Sequence, residues 1–435
     1  MSTHVKVFAG IIVLGLVAIV GARFALPQLR DAMQRATSDA AATQGTLRVG
    51  VDSWVGYFPL CSPEMTGRMR HAGYDLRCED DKADYRARFR RLAEGELDFA
   101  VTTVDAYVLG GAEHEFPGAI VAVLDQSSGG DAIVARRDKV ASLDALKRRT
   151  DARIAYTPAS PSEHLLKSIA THFDLPRLKA RGGAWRVEAD GSSDALRKLQ
   201  AGDVDVAVLW EPDVSRALAD PAFVKLIGTE DTDKLIVDVL LASRRLIQER
   251  PQTLDTLIDQ YFQTLHDYGE QPERLRADLR KSAGLDDAQI EPMLAGVDWA
   301  TLNENGAEWF GVTPSGLPAE EGLIEAIRGA LDILGAVGDL PANPLPDQDP
   351  YRITNRGTIA QLYLAQAGIA DASGAAQTAG NVLARPFPAL DDAGWKRLKE
   401  VGTLKVEPIG FQRATAYLDD DGRASLDRIA ERLRR

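Results

Sequence analysis

The residues best placed to do chemistry are aromatic, hydroxyl and carboxylate side chains that stand just after short β-rich runs. Behind TLRVGV (46–51) come Asp52, Ser53, Trp54 and Tyr57. Behind the run at 97–101 come Thr102, Thr103 and Asp105. The stretch QSSGGD (126–131) offers Ser127, Ser128, Gly129 and Asp131 between two more runs. Ser160 and Ser162 precede a helical segment opening near Glu163, and Trp210, Glu211 and Pro212 stand at the end of the run at 204–210. Open α/β sheets bind ligands in the crevice outside the carboxyl ends of their strands. An indole or phenol there is an apolar wall with a polar tip. Hydroxyls and helix N-termini supply donors to an anion, or serve only as N-caps.

The expected contact residues are therefore Ser53, Trp54, Tyr57, Thr102, Thr103, Ser127, Ser128, Gly129, Asp131, Ser160, Trp210 and Glu211. Trp54 and Trp210 would face each other and sandwich a small molecule, while Ser162 would cap its helix. A carboxylate such as Glu211, Asp213 or Asp238 favours an amine-bearing ligand, orients a neutral donor, or pairs with a Lys or Arg. These loops hold no evident Arg reserved for an oxyanion.

Catalytic patterns are missing. The six His are His4, His71, His114, His164, His172 and His266, and none forms HExxH or a comparable metal spacing. His164 and His172 are too far apart on one helix for a shared metal. No G-x-S-x-G elbow, P-loop or G-x-G-x-x-G occurs. Neither catalysis, a metal nor a cofactor is expected.

Elements that position these residues follow from periodicity. Strand-like runs at 46–51, 74–78, 97–101, 119–124, 132–135, 153–156, 185–188, 204–210 and 235–242 alternate with helical segments such as 84–94, 163–173 and 194–200. That alternation predicts a parallel α/β sheet with crossover connections. LAEGELDFAV (92–101) is echoed by LQAGDVDVAV (199–208), as two similar lobes would produce. Cys61 and Cys78 either pair or are separate buried thiols; spacing does not decide it.

The 435 residues allow two or three domains. A net charge of −13 argues against nucleic acid or a polybasic membrane surface as partner. Residues 7–22 are uncharged and almost wholly apolar behind Lys6, which reads as an export signal. It is either a cleaved signal peptide or, with residues through Leu26, an uncleaved anchor; the anchor is the preferred reading. No Cys stands nearby to carry a lipoprotein anchor. Residues 30–45 read as a tether, and export would place the body in an oxidising compartment.

Six stretches in order resemble one family: LRVGVDSWVGYFPL (47–60), LAEGELDFAVTTVDAY (92–107), VLDQSSGGDAIVAR (123–136), IAYTPASPSEHLL (154–166), LQAGDVDVAVLWEPDV (199–214) and VDVLLASRRLIQERP (237–251). They resemble periplasmic solute-binding proteins of ABC transporters, of the nitrate/sulfonate/taurine type that includes thiamine-precursor binders. The resemblance implies a two-lobed α/β periplasmic binding protein, type II-like, with lobes joined by two crossing strands. It implies crossings near 123–131 and 235–241, one lobe from 46–124 and 242–345, and the other from 132–236. A small-molecule ligand, closure about a hinge and an ABC permease as partner are implied with it.

The Pro-rich 341–350 reads as a boundary, with 346–402 a linker carrying short helices. LKVEPIGFQRATAYLDDDGRASLDRIAERL (404–433) resembles the opening of an OmpA-like domain and stops before the segments that hold peptidoglycan in that family. Peptidoglycan is a partner only if a complete domain follows; otherwise 403–435 is a terminal β-α unit. The sequence thus predicts an envelope receptor with an N-terminal membrane segment, periplasmic and tethered by residues 7–26. The alternative is an adaptor linking inner membrane to peptidoglycan.

Overall fold

The computed structural model describes residues 44–173, 175–179, 182–232, 234–283, 287–312 and 321–366. The expected signal or anchor at 7–26 and the OmpA-like stretch at 403–435 lie outside these residues. Among the described residues no helix is long and apolar enough to cross a membrane.

Eleven strands are described: β1 (Gly45–Val51), β2 (Tyr74–Asp80), β3 (Phe99–Thr103), β4 (Gly118–Ser127), β5 (Asp131–Arg136), β6 (Ile154–Tyr156), β7 (Arg186–Glu188), β8 (Val206–Trp210), β9 (Phe223–Gly228), β10 (Val237–Ser243) and β11 (Val297–Trp299). They form two sheets, ordered β11-β4-β10-β3-β1-β2 and β7-β6-β8-β5-β9. Without β11 the orders match: a parallel trio, then one strand from elsewhere in the chain, then an outer strand. That inserted strand is β10 in the first lobe and β5 in the second, and each runs antiparallel to both neighbours. The sheets are therefore mixed, which corrects the parallel sheet expected from alternation. The reason is topological: β5 and β10 each arrive from the other lobe, so neither is part of a local βαβ crossover. The crossing segments are 128–130 and 229–236, short of the strand-length crossings expected at 123–131 and 235–241.

The repeated sequence builds a repeated structure. The helix Tyr85–Glu94 ends on Gly95 at φ 75°, and the helix Ser192–Ala201 ends on Gly202 at φ 79°. Glycine enters this left-handed region without the Cβ penalty. Three residues on, Asp98 accepts from the Arg48 backbone N–H at 3.0 Å and Asp205 from that of Arg153 at 3.0 Å. In each lobe the same acidic residue clips the strand it leads into to its neighbour.

The first lobe's core joins Leu47, Val49, Phe99 and Leu240 to later helices through Leu257, Tyr261, Ile290 and Ile327. Residues beyond the Pro-rich boundary belong to it too: Ile353 and Ile359 are fully buried there, and the Asn355 N–H donates to the Ile120 carbonyl at 2.8 Å. The part of the expected linker up to Gln366 is therefore packed structure, because its apolar residues fill the face beside β4. The second lobe carries one apolar cluster around Ile154, Leu165 and Val208, and another around Val134, Leu199 and Leu209.

Cys61 and Cys78 form a disulfide with Cα atoms 6.0 Å apart. It ties the helix Phe58–Cys61 to β2 across 17 residues of sequence. Closing such a loop restricts the unfolded chain by about 3 kcal/mol. Cys61→Ser should lose about that much stability in a urea titration, as should the parent under reductant. A loss below about 1 kcal/mol in both would show that the unfolded chain is not so restricted.

Candidate functional site

The carboxyl ends of β1 and β3 in the first lobe face the ends of β5 and β8 in the second. Between them lies a cavity with about 200 Å³ of space between atoms, part of it open to solvent, lined by Asp52, Trp54, Tyr57, Tyr85, Asp131, Pro161, Trp210, Ile236 and Asp238. In this closed arrangement it has room for little more than a water molecule, so a larger occupant requires the lobes to part.

Trp54 follows β1, and its Nε1 donates to Asp125 Oδ1 at 3.0 Å. Its ring lies over Gly130: a Cβ there would stand 2.4 Å from the indole Cη2 and 2.7 Å from the Gly296 carbonyl oxygen. Only glycine fits at that crossing position. Trp210, at the end of β8, belongs to the first lobe's apolar cluster, and its Nε1 donates to Ser53 Oγ at 3.4 Å. The two indoles thus line one cavity from opposite lobes.

The second crossing is fastened to the first through Thr229. Its Oγ1 is 2.8 Å from Ser127 Oγ and accepts from the Gly129 N–H at 2.8 Å. Ser127 Oγ in turn accepts from the Asp131 N–H at 3.0 Å. The backbone of Asp131 is held, while its carboxylate Oδ1 is buried without a hydrogen-bond partner. Burial, reinforced by Asp105, Asp52 and Glu211 and opposed by Ser127, pushes this carboxyl up to about 7.

Asp238 opens β10 opposite Asp125 of β4, and both are buried. Burial drives each far above the usual carboxylate range; the Asp125 charge adds to the rise at Asp238, and the Trp54 N–H opposes the rise at Asp125. The Tyr57 hydroxyl donates to Asp238 and is itself kept protonated by burial and by that carboxylate. Asp52 is fully engaged. It accepts from the Trp54 backbone N–H at 3.0 Å, the Tyr85 hydroxyl at 3.1 Å and Arg88 Nη2 at 3.1 Å. Arg88 also donates to Asp81 at 2.7 Å and to the Val101 carbonyl at 2.7 Å.

Of the residues expected from sequence, Trp54, Tyr57, Asp131 and Trp210 line the cavity together. Ser53 is at the rim as partner of Trp210. The others are placed behind or beside it. Thr102 donates to the Thr103 carbonyl at 3.2 Å, and the Thr103 hydroxyl is buried without a partner. Ser127 and Gly129 serve the hinge, and the Ser128 N–H donates to the Gly296 carbonyl at 2.9 Å. Ser160, expected as a ligand contact, is the N-cap of the helix Pro161–His172, and Ser162, expected as that cap, donates instead to the Val208 carbonyl at 3.1 Å. The Glu211 carboxylate turns away to Ser215, taking its N–H at 3.0 Å and its hydroxyl at 2.7 Å. Asp52, Tyr85, Pro161, Ile236 and Asp238 line the cavity and were not among the expected contacts. Tyr85 reads in sequence as the apolar face of its helix; a buried phenol's need for an acceptor was the available signal.

Matching sheets, two crossings and an interlobe cavity define the periplasmic binding protein fold. No protein-family model and no curated protein matches the chain. Among solved structures it is similar to the alkanesulfonate-binding protein of Xanthomonas axonopodis pv. citri, bound to MOPS: 18% identity, TM-score 0.56, 70% of this chain and 96% of that one. It is also similar to the periplasmic aliphatic sulphonate binding protein of Escherichia coli, with 16% identity and TM-score 0.54 over 72% of this chain and 99% of that one. A Candida albicans gene product with the generic periplasmic binding protein fold shows 14% identity and TM-score 0.55, over 72% and 96%. At these identities the similarity is one of fold.

Proposed function

We propose that the chain is a non-enzymatic solute-binding receptor of the cell envelope. It captures a small molecule between its lobes and presents it to an ABC permease or a sensory partner. The observation that carries this is the cavity itself, walled from one lobe by Trp54 and Tyr57 and from the other by Trp210 and Asp131. A site split between lobes couples occupancy to closure, because only the closed form makes all the contacts. The disulfide and the apolar run at 7–26 support an exported location. The solved sulfonate-binding proteins of the same fold support the receptor class.

The test is a titration of the full chain with amines, amino acids, sulfonates, nitrate and pyrimidines, followed by tryptophan fluorescence and melting temperature. A true ligand should shift both. Trp54→Ala and Trp210→Ala should each weaken it by roughly 30-fold, as aromatic anchors of a buried contact do. Absence of a shift across the whole panel, or full affinity in both variants, would rule out this cavity as a receptor site.

A further inference from the structure

Given the receptor reading, on which it rests, we infer that the cavity's ligand is a small organic ammonium ion, enclosed by Trp54, Tyr57, Tyr85 and Trp210 and balanced by the Asp131 carboxylate. Four aromatic side chains from two lobes converge on one small space. The indole N–H groups are committed to Asp125 and Ser53, and the phenol hydroxyls to Asp238 and Asp52. The Arg88 guanidinium already lies 4.6 Å from the centre of the Tyr85 ring, so the π surface left for an occupant is chiefly that of Trp54, Tyr57 and Trp210, whose negative faces attract a cation and more strongly so when water is excluded.

The charge balance points the same way. Among the described residues, three carboxylates, Asp52, Asp131 and Asp238, line the cavity, and no Lys or Arg does. Arg88 is consumed by Asp52 and Asp81 behind the wall. Asp238 has Tyr57, and Asp52 has three donors. Asp131 alone of the three has a carboxylate oxygen that is buried and unpartnered, on a side chain of a residue only 2% exposed. A buried acceptor without a donor is costly, and a bound cation removes that cost. A sulfonate would bring only acceptors to a cavity whose unpartnered group, the Asp131 oxygen, is itself an acceptor. Among the described residues no group of three His, Cys, Asp or Glu is placed to hold a metal ion.

Calorimetric titration of the full chain with tetramethylammonium, methylammonium, choline, methanesulfonate and 3,3-dimethylbutan-1-ol, the neutral carbon analogue of choline, tests this. At least one ammonium probe should bind, with choline favoured at least about 10-fold over its neutral analogue. Asp131→Asn should weaken the bound cation by about 30-fold or more while the protein stays folded by its melt. Trp210→Leu, which keeps apolar bulk and removes the ring, should weaken cations more than the neutral analogue. Equal binding of choline and its analogue, or equal losses for both in Trp210→Leu, would overturn the ammonium assignment. Binding of methanesulfonate without any cation would overturn it and leave the receptor reading standing. Silence from these probes together with the wider panel would remove both.

Discussion

Asp131→Asn should raise the melting temperature of the ligand-free protein at pH 8 and flatten its dependence on pH. In the folded chain burial holds this carboxyl near 7, against 3.8 for the ordinary group. Between those values the folded protein binds a proton that the unfolded chain has released. Stability therefore falls as pH rises through this window and levels off once both states are ionised. The shift corresponds to a loss on the order of 4 kcal/mol. Asp125 and Asp238 are displaced in the same direction and extend the decline to higher pH. Calorimetric melts of parent and variant from pH 5 to 8 provide the check. A parent that gains stability over this range, or a variant with an unchanged slope, would exclude Asp131 as the source. The same substitution is expected to lose ammonium binding, so it should improve the fold while harming the site. A side chain kept only for structure would not separate the two.

Arg88→Met should destabilise the protein by roughly 3–5 kcal/mol, the cost of removing one partner from a buried ion cluster. The Arg88 side chain is 0% exposed, and those of Asp52 and Asp81 are 2% and 10% exposed. Losing it strands both carboxylates and leaves the Val101 carbonyl without its donor. The companion triple variant Arg88→Met, Asp52→Asn, Asp81→Asn should recover much of the loss, because uncompensated charge is what costs most. Urea midpoints at fixed m-value measure both. A single variant within about 1 kcal/mol of the parent would mean that water or a nearby cation replaces the guanidinium. Since Asp52 also holds the Trp54 backbone, Arg88 supports the cavity wall from behind.

Much of the scaffold was legible because it is local. The paired Gly95 and Gly202, each followed by an aspartate three residues on, announced two similar units, and each aspartate does the same job in its own lobe. Positions at the ends of strand runs located Trp54, Tyr57 and Trp210, since a strand's carboxyl end opens onto the crevice, whereas Asp131 reaches it from the start of β5 beside the crossing. The parallel-sheet expectation failed at β5 and β10 because a strand's direction depends on which lobe the chain has come from.

The roles of individual carboxylates and hydroxyls were not legible. Glu211 and Asp131 look alike in sequence, each beside a strand end. Ser215, one helical turn away, occupies Glu211, whereas nothing partners one Asp131 oxygen. Tyr85 reads as a core residue until Asp52 is found against its hydroxyl from 33 positions earlier. Arg88 falls within the helical segment 84–94, and its burial is set by Asp52 and Asp81, which close over it. Periodicity along the chain determined which elements form and where their ends open. Which polar groups are satisfied by neighbours distant in sequence, and which remain for a ligand, was decided by the packing of the two lobes, because hydrogen bonding and desolvation act through space.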